Sequence, residues 1–96
     1  MLKIKDNINL KELKKYGFEV GYEFEYEKMH VDCYYNGSKS VVVDEKTKEI
    51  FIVCYNFSYD ETNGTKKIIK KEQYIKKYIK DLIKNDLVEK VCDENK

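Results

Sequence analysis

The stretch SVVVDEKTKEIFIVCY (residues 40–55) decides the fold, because it places two apolar runs on either side of a short charged segment. The first run, residues 40–44, predicts one β-strand, and the second, residues 49–59, predicts the next. Residues on both alternating faces of the second run are apolar at its start, which predicts a central strand covered on both sides for half its length. The charged residues 44–48 predict the turn between the two strands.

Another strand is predicted before this pair. Asn36-Gly37 is a strong hairpin signal, since both residue types accept a positive φ. Apolar and polar residues alternate through residues 20–35, as in a half-buried strand. The apolar phase changes within this run, so we expect a bulge or a bend near residues 27–29, with a tight turn there as the alternative.

A short helix is predicted before the strands. Residues 7–18 carry a sparse apolar stripe at helical spacing. An Asn side chain accepts hydrogen bonds from the free amides of a first helical turn, so Asn7 or Asn9 is expected to cap this helix. Gly17 is well placed to end it in the left-handed conformation.

A longer helix is predicted after the strands. Residues 60–65 have the composition of a loop, and residues 67–84 then predict an amphipathic helix. Its apolar stripe consists of Ile68, Ile75, Tyr78, Ile79, Leu82 and Ile83. Residues 87–91 form a short apolar segment that is expected to pack back on the sheet.

These elements predict a single α+β domain over residues 1–96. It consists of a short N-terminal helix, an antiparallel sheet of three to four strands and a C-terminal amphipathic helix packed on one sheet face. No apolar run approaches the ~20 residues of a membrane span, and no signal peptide is recognised at the start of the chain. Three scattered cysteines without an export signal indicate reduced thiols, so we expect a cytoplasmic protein.

Catalytic and metal-binding chemistry has little support in the residue types present. His30 is the only histidine, and Asp32 is the acid close to it in sequence. His30 and Cys33, with Cys54 and Cys92, offer zinc-ligand types, but zinc sites normally show paired close spacings and only one close pair occurs here. The glycines form no phosphate-binding loop. We therefore expect no enzymatic activity, no metal site and no cofactor, and we interpret His30 as an ordinary strand residue.

The charges are balanced over the whole chain, at a net +1, but they are unevenly distributed. Residues 19–32 are locally acidic, which indicates either a solvent-facing strand surface or an acidic patch that docks a basic partner or mimics phosphates. Tyrosines favour interfaces because they bring a large contact area at low entropic cost, although several are also expected to lie half-buried with the hydroxyl in water. The residues predicted to bind a partner are Glu23, Glu25, Glu27, Asp32, Tyr22, Tyr26, Tyr34 and Tyr35.

A basic segment offers an alternative site. Residues 66–84 contain eight lysines against two acidic residues. Lysine contacts phosphates without reading the bases, and the chain contains no arginine, the usual bidentate reader of guanine. This composition favours non-specific contact with nucleic acid over sequence-specific recognition. The residues predicted for this contact are Lys66, Lys70, Lys77, Lys80 and Lys84.

Three stretches carry a resemblance to known proteins, namely NLKELKKYGF (residues 9–18), VDEKTKEI (residues 43–50) and DLIKNDLVEKV (residues 81–91). With the tyrosine-rich strands, they resemble small, mostly uncharacterised phage and prophage proteins of AT-rich Gram-positive bacteria. The resemblance contains no catalytic motif and transfers no functional residue. It implies a small cytoplasmic protein of a mobile element, and many such proteins, anti-CRISPR proteins among them, bind a host or defence protein.

The function expected from the resemblance is binding and inhibition of a host defence complex by occupying one of its surfaces. Such a function needs no cofactor and is open to a monomer or a homodimer. Non-specific binding of nucleic acid by the lysine-rich segment is the alternative.

Overall fold

A computed structural model describes four ranges of the chain, namely residues 1–21, 24–32, 37–56 and 65–91. It describes the backbone alone for residues 29–32, 37–38, 55–56 and 65–66. The strands of these ranges are β1 (Leu2–Ile4), β2 (Tyr26–Asp32), β3 (Gly37–Val43), β4 (Ile50–Asn56), β5 (Thr65–Ile69) and β6 (Val88–Lys90). Their helices are a 3₁₀ helix (Leu10–Tyr16), α1 (Glu72–Ile75) and α2 (Lys80–Lys84).

The main sheet has four antiparallel strands in the order β2-β3-β4-β5. β3 and β4 come from the stretch at residues 40–55, and Val41 lies opposite Ile52 while Val43 lies opposite Ile50. The predicted α+β class and the predicted antiparallel sheet are therefore confirmed. The register leaves β2 and β5 at the two edges of this sheet.

The turn between β3 and β4 is organised by Asp44. Its Oδ1 accepts hydrogen bonds from the backbone amides of Lys46 at 2.8 Å and Thr47 at 3.0 Å. These two amides, that of Thr47 foremost, stabilise the charged carboxylate and hold the pKa of Asp44 below its ordinary value. The polar turn predicted at residues 44–48 is thus confirmed.

The main core lies on one face of the four-stranded sheet. The 3₁₀ helix, α1, α2 and the small sheet described below all contribute to it, so their apolar side chains leave water together. Its buried residues are Leu2, Ile4, Leu10, Leu13, Phe18, Val41, Val43, Ile50, Ile52, Ile75, Ile79, Leu82 and Leu87.

A second, smaller cluster lies on the other face of the sheet. Val42, Phe51 and Val53 are buried there, and the ring of Phe24 meets that of Phe51 edge-on with centroids 5.7 Å apart. β4 is therefore covered on both faces at its start, as predicted.

The N-terminal helix is shorter and tighter than predicted. It is a 3₁₀ helix that the Asn9 side chain caps by accepting from the amide of Lys11 at 3.0 Å, and it ends at Gly17 with a φ of 91°. Leu10, Leu13 and Tyr16 follow one another at three-residue spacing, which matches the three residues per turn of this helix. The Asn9 cap and the Gly17 stop are confirmed, whereas the predicted start at residue 7 is wrong.

A two-stranded sheet, which the sequence did not reveal, joins the two ends of the described chain. β1 pairs antiparallel with β6, so that Leu2 lies opposite Lys90 and Ile4 opposite Val88. An isolated bridge between Lys3 and Glu49 connects this pair to the start of β4. Strands of three residues are too short to show the alternation that predicts longer strands.

The long strand predicted over residues 20–35 is wrong in its first part. Glu19 and Glu27 form an antiparallel bridge, and the Gly21 amide donates to the Phe24 carbonyl at 2.8 Å, so the chain reverses before β2 begins. β2 then pairs with β3 without a bulge. The bulge or tight turn expected near residues 27–29 is therefore wrong, because the register with β3 runs unbroken from Tyr26 to Asp32.

The single helix predicted over residues 67–84 is also wrong. The structure places Lys67, Ile68 and Ile69 in β5, and two short helices follow. The predicted burial of Ile75, Ile79 and Leu82 is nevertheless confirmed. Their spacing places them on one apolar side whether the segment forms one long helix or two short ones in succession. Among the described residues, no helix is long and apolar enough to cross a membrane.

Candidate binding surfaces

α1 exposes Tyr74 to solvent, and two neighbouring residues of the helix hold it in place. Ile75 beside it is buried in the main core. Glu72 pairs with the N-terminal ammonium of Met1 at 3.2 Å and with Lys90 Nζ at 3.6 Å. The hydrogen bond from that ammonium is the largest cause that lowers the pKa of the Glu72 carboxyl. Tyr74 retains 37% exposure on this anchored helix.

Cationic side chains approach the Tyr74 ring from two different elements. Lys39 of β3 has its Nζ 5.8 Å from the ring centroid, and Lys77, which follows α1, has its Nζ at 5.2 Å. Both distances are within the range of a cation–π interaction. The ring of Tyr78 lies 6.5 Å away, tilted by 36°. Tyr74 is therefore an aromatic surface residue in a cationic environment.

The groove beside Tyr74 follows the outer edge of the main sheet. It has a volume of about 670 Å³ and is lined by β5, by the residues after it and by Tyr74. Ile68 adds an exposed apolar side chain, with 49% of its surface in water. We call this region the β5 edge surface, and its residues are Lys39, Lys67, Ile68, Lys70, Lys71, Tyr74 and Lys77.

The β5 edge surface carries cations that nearby acids do not neutralise. Glu72 is already bound to the N-terminal ammonium and to Lys90. Glu49 pairs with Lys70 at 3.3 Å. Within the described part of the chain, no ion pair engages Lys67, Lys71 or Lys77. The surface is therefore able to receive several negative charges.

The structure divides the five lysines predicted to contact nucleic acid. Lys70 and Lys77 belong to the β5 edge surface, and Lys66 lies in β5, where its backbone alone is described. Lys80 and Lys84 lie on α2. The neighbouring Asp81 of α2 reaches Lys28 of β2 at 3.9 Å, and β2 is the edge strand opposite β5. The predicted lysines thus do not share one helix face.

Sequence reasoning missed Lys39, Lys67, Lys71 and Tyr74 as members of one surface. Lys39 and Lys67 both pair with Cys54 of β4, one from each side. This alignment depends on β5 being a strand, so the prediction of a helix there concealed it. The mixture of lysines with a tyrosine after residue 65 was the one local signal of this surface.

The predicted acidic surface is described only in part. Glu25 is exposed just before β2, whereas Tyr26 is half-buried and packs against the main core. The Glu27 carboxylate lies so close to Gly21 that a Cβ at Gly21 would overlap it. Its Oε2 is buried and has no hydrogen-bond partner among the described residues. Tyr22, Glu23, Tyr34 and Tyr35 lie outside the described residues, and Asp32 and His30 are described by their backbone in β2.

A different group of acids meets beside Phe24. Glu25, Asp44 and Glu45 line a shallow depression of about 190 Å³ together with the Phe24 ring, Val43 and one cation, Lys46. The carboxyls of Glu25 and Glu45 lie side by side, and the contact with Glu25 is the largest cause that raises the pKa of the Glu45 carboxyl. We call Glu25, Asp44 and Glu45 the β3–β4 turn acids.

Metal-ligand geometry is absent from the part of the chain that the structure describes, since no three His, Cys, Asp or Glu residues there meet at a common point suited to an ion. Cys54 is a half-buried free thiol. Cys33 and Cys92, the other cysteines in the zinc hypothesis, lie outside the described residues. The arrangement on the described surfaces is one of charge and aromatic contact.

Comparison of the chain with protein-family models, with curated proteins and with solved structures finds no match.

Proposed function

We propose that this protein is a binding module that contacts the phosphates of nucleic acid through its β5 edge surface. The proposal rests on the Tyr74 ring, which is exposed among lysines on an anchored helix. At the same sheet edge, Lys67 and Lys71 have no acidic partner among the described residues. Cations near a polyanion release its condensed counterions, and this release drives non-specific binding. No catalytic step is required.

The chemistry of the surface favours binding without sequence preference. Its cations are all lysines, which act as point charges, and the chain has no arginine to form bidentate contacts with guanine. An ammonium on a long flexible stem follows a phosphate backbone of any sequence. The expected mode is therefore contact with the sugar–phosphate backbone, which positions the protein but does not select bases.

The test compares two charge reversals of equal size. Lys67→Glu/Lys71→Glu changes the β5 edge surface, and Lys80→Glu/Lys84→Glu changes the net charge equally on α2. Fluorescence anisotropy with a labelled oligonucleotide should show a loss of affinity of about ten-fold or more for the first variant and a much smaller loss for the second. Affinity of the unchanged protein should fall steeply with salt, with a log–log slope of about −2 to −3 for three or four phosphates.

Two results would contradict this proposal. Equal losses in the two variants would mean that net charge, and not the β5 edge surface, governs the affinity. A flat salt response, or no binding at low ionic strength, would exclude phosphate contacts as the source of binding.

As a second candidate, we propose that the β3–β4 turn acids dock a basic surface of a host defence protein. The specific observation is that the Glu25 and Glu45 carboxyls lie side by side next to the half-buried Phe24 ring, and that their contact raises the pKa of Glu45. Carboxylates concentrated in this way favour a cationic partner, since its charges would relieve their mutual repulsion. The resemblance to phage and prophage proteins supports a host target. Glu27 has no part in this surface because its carboxylate is tucked inward.

The second candidate is tested with Glu25→Lys/Glu45→Lys. The tagged protein is used to capture partners from nuclease-treated lysate of a Gram-positive host, and the captured proteins are identified by mass spectrometry. We expect a stoichiometric protein that the unchanged chain and Lys67→Glu/Lys71→Glu both retain and that the acidic-surface variant loses. Retention by Glu25→Lys/Glu45→Lys would remove the β3–β4 turn acids from the interface.

A further inference from the structure

We propose that Tyr74 is a stacking platform for an unpaired base, so that the β5 edge surface selects single-stranded over double-stranded nucleic acid. This inference rests on the proposed function, and it names the form of nucleic acid that the same surface accepts. Lys39 and Lys77 hold their ammonium groups over the ring, at 5.8 Å and 5.2 Å from its centroid, and a base that stacks on the ring takes the place of one of these flexible side chains.

The Tyr74 ring is accessible, and the backbone that carries it is held by a buried neighbour and by ion pairs. It keeps 37% exposure, while the adjacent Ile75 is 1% exposed in the main core. The ion pairs of Glu72 with the N-terminal ammonium and with Lys90 hold the start of α1. A ring on a fixed backbone loses little conformational freedom when a base stacks on it, so more of the stacking energy is retained as affinity.

The surroundings of the ring suit a single strand. Proteins that bind single strands combine a positively charged groove for the backbone with aromatic side chains on which the bases stack. Here the groove beside Tyr74 carries Lys67, Lys70 and Lys71. Paired bases in a duplex already stack on one another and expose only their edges, so a tyrosine on an open surface has no base face to contact. Lysines without arginine keep the contact tolerant of sequence.

The exposed Ile68 lies opposite Val53, so its side chain belongs to the sheet face of the second cluster and not to the face on which Lys39 meets Tyr74. It has 49% exposure on β5 and lines the groove together with Tyr74. Ile68 therefore adds apolar surface at the edge of the groove, whereas a stacked base would contact the Tyr74 ring and the phosphates would meet the surrounding lysines.

The test uses Tyr74→Leu, with Tyr74→Phe as the matched variant that keeps the ring. Fluorescence anisotropy is measured with labelled oligothymidylate, with a duplex of equal phosphate count and with an abasic strand of the same length. We expect the unchanged protein to bind oligothymidylate more tightly than the duplex. Tyr74→Leu should lose on the order of ten-fold in affinity for oligothymidylate, whereas Tyr74→Phe should keep most of it. Neither variant should change the affinity for the abasic strand.

The outcomes separate this inference from the proposed function. If Tyr74→Leu binds oligothymidylate normally while Lys67→Glu/Lys71→Glu does not, phosphate binding stands and the stacking role is overturned. If the unchanged protein binds none of the strands, both are overturned. Oligoglutamate that competes as well as oligothymidylate, with the same dependence on Tyr74, would show an acidic peptide as the ligand and overturn the inference. Thermal unfolding of Tyr74→Phe and Tyr74→Leu confirms that both variants are folded before binding is compared.

Discussion

Ile52→Ala is expected to lower the free energy of unfolding by about 3–4 kcal/mol. Ile52 is fully buried in β4, between Val41 of β3 and Ile69 of β5. Truncation to Ala removes three carbon atoms from the main core and leaves a cavity that strands paired on both sides cannot easily close. A domain of this size has a total stability of about 5–10 kcal/mol, so the variant should lose a large part of it.

The matched control is Ile68→Ala in β5. Ile68 is one position before Ile69 and has 49% exposure on the other side of the strand. It undergoes the same chemical change as Ile52, but much of its surface is already in water, so the expected cost is below about 1 kcal/mol. Urea unfolding followed by circular dichroism measures both variants, and equal slopes with denaturant validate the comparison. Similar losses for the two variants would contradict the assignment of the core to the face of Ile52.

The part of the fold around residues 40–55 was predictable because local pattern and tertiary role agree there. Three valines in succession, followed by a charged turn and a second apolar run, leave few alternatives to two paired strands. Asn9 and Gly17 were equally readable, since each satisfies a local backbone requirement that the residue type itself expresses. In both cases the physical cause lies within a few residues of the signal.

β5 was not predictable because its cause is distant in the sequence. The segment KKIIKK (residues 66–71) is compatible with a helix by its lysines and with a strand by its adjacent isoleucines. Pairing with β4, which places Ile69 opposite Ile52, decides in favour of the strand. The partner that decides between helix and strand lies in β4, outside the local sequence around residues 66–71, so no local pattern contains the information.

The candidate binding surface was only partly predictable for the same reason. Lys70 and Lys77 were identified from the basic segment, but Lys39 joins them only through the register of β3 and β4. All nineteen basic residues of the chain are lysines, so composition alone does not distinguish a lysine beside Tyr74 from one on α2. Among the acidic residues, the alternation of Glu25 and Glu27 predicts that both carboxylates lie on one exposed strand face. In the structure, Glu25 is exposed, whereas the Glu27 carboxylate lies against Gly21 with one oxygen buried.

Lys48→Met is expected to lower the free energy of unfolding by about 2–3 kcal/mol, although lysine is ordinarily a tolerant surface residue. The ammonium of Lys48 donates to the backbone carbonyls of Ile8 at 2.7 Å, Asp6 at 3.0 Å and Lys5 at 3.4 Å. All three donors of the group are therefore used to hold the segment between β1 and the 3₁₀ helix against the β3–β4 turn. Methionine retains the length of the side chain but leaves these carbonyls without their charged donor.

The matched control for Lys48→Met is Lys46→Met, an exposed lysine in the same turn whose side chain makes no ion pair with the described residues. Its cost should be within about 0.5 kcal/mol, because no partner is lost.

The dependence of the effect on salt distinguishes a loss of hydrogen bonds at Lys48 from a loss of its charge. Hydrogen bonds to neutral carbonyls are insensitive to ionic strength, whereas a loss of surface ion pairs shrinks as salt is added. Chemical denaturation by urea at low and high salt should therefore give the same difference for Lys48→Met. A difference that vanishes in salt, or one no larger than that of Lys46→Met, would mean that Lys48 contributes only its charge.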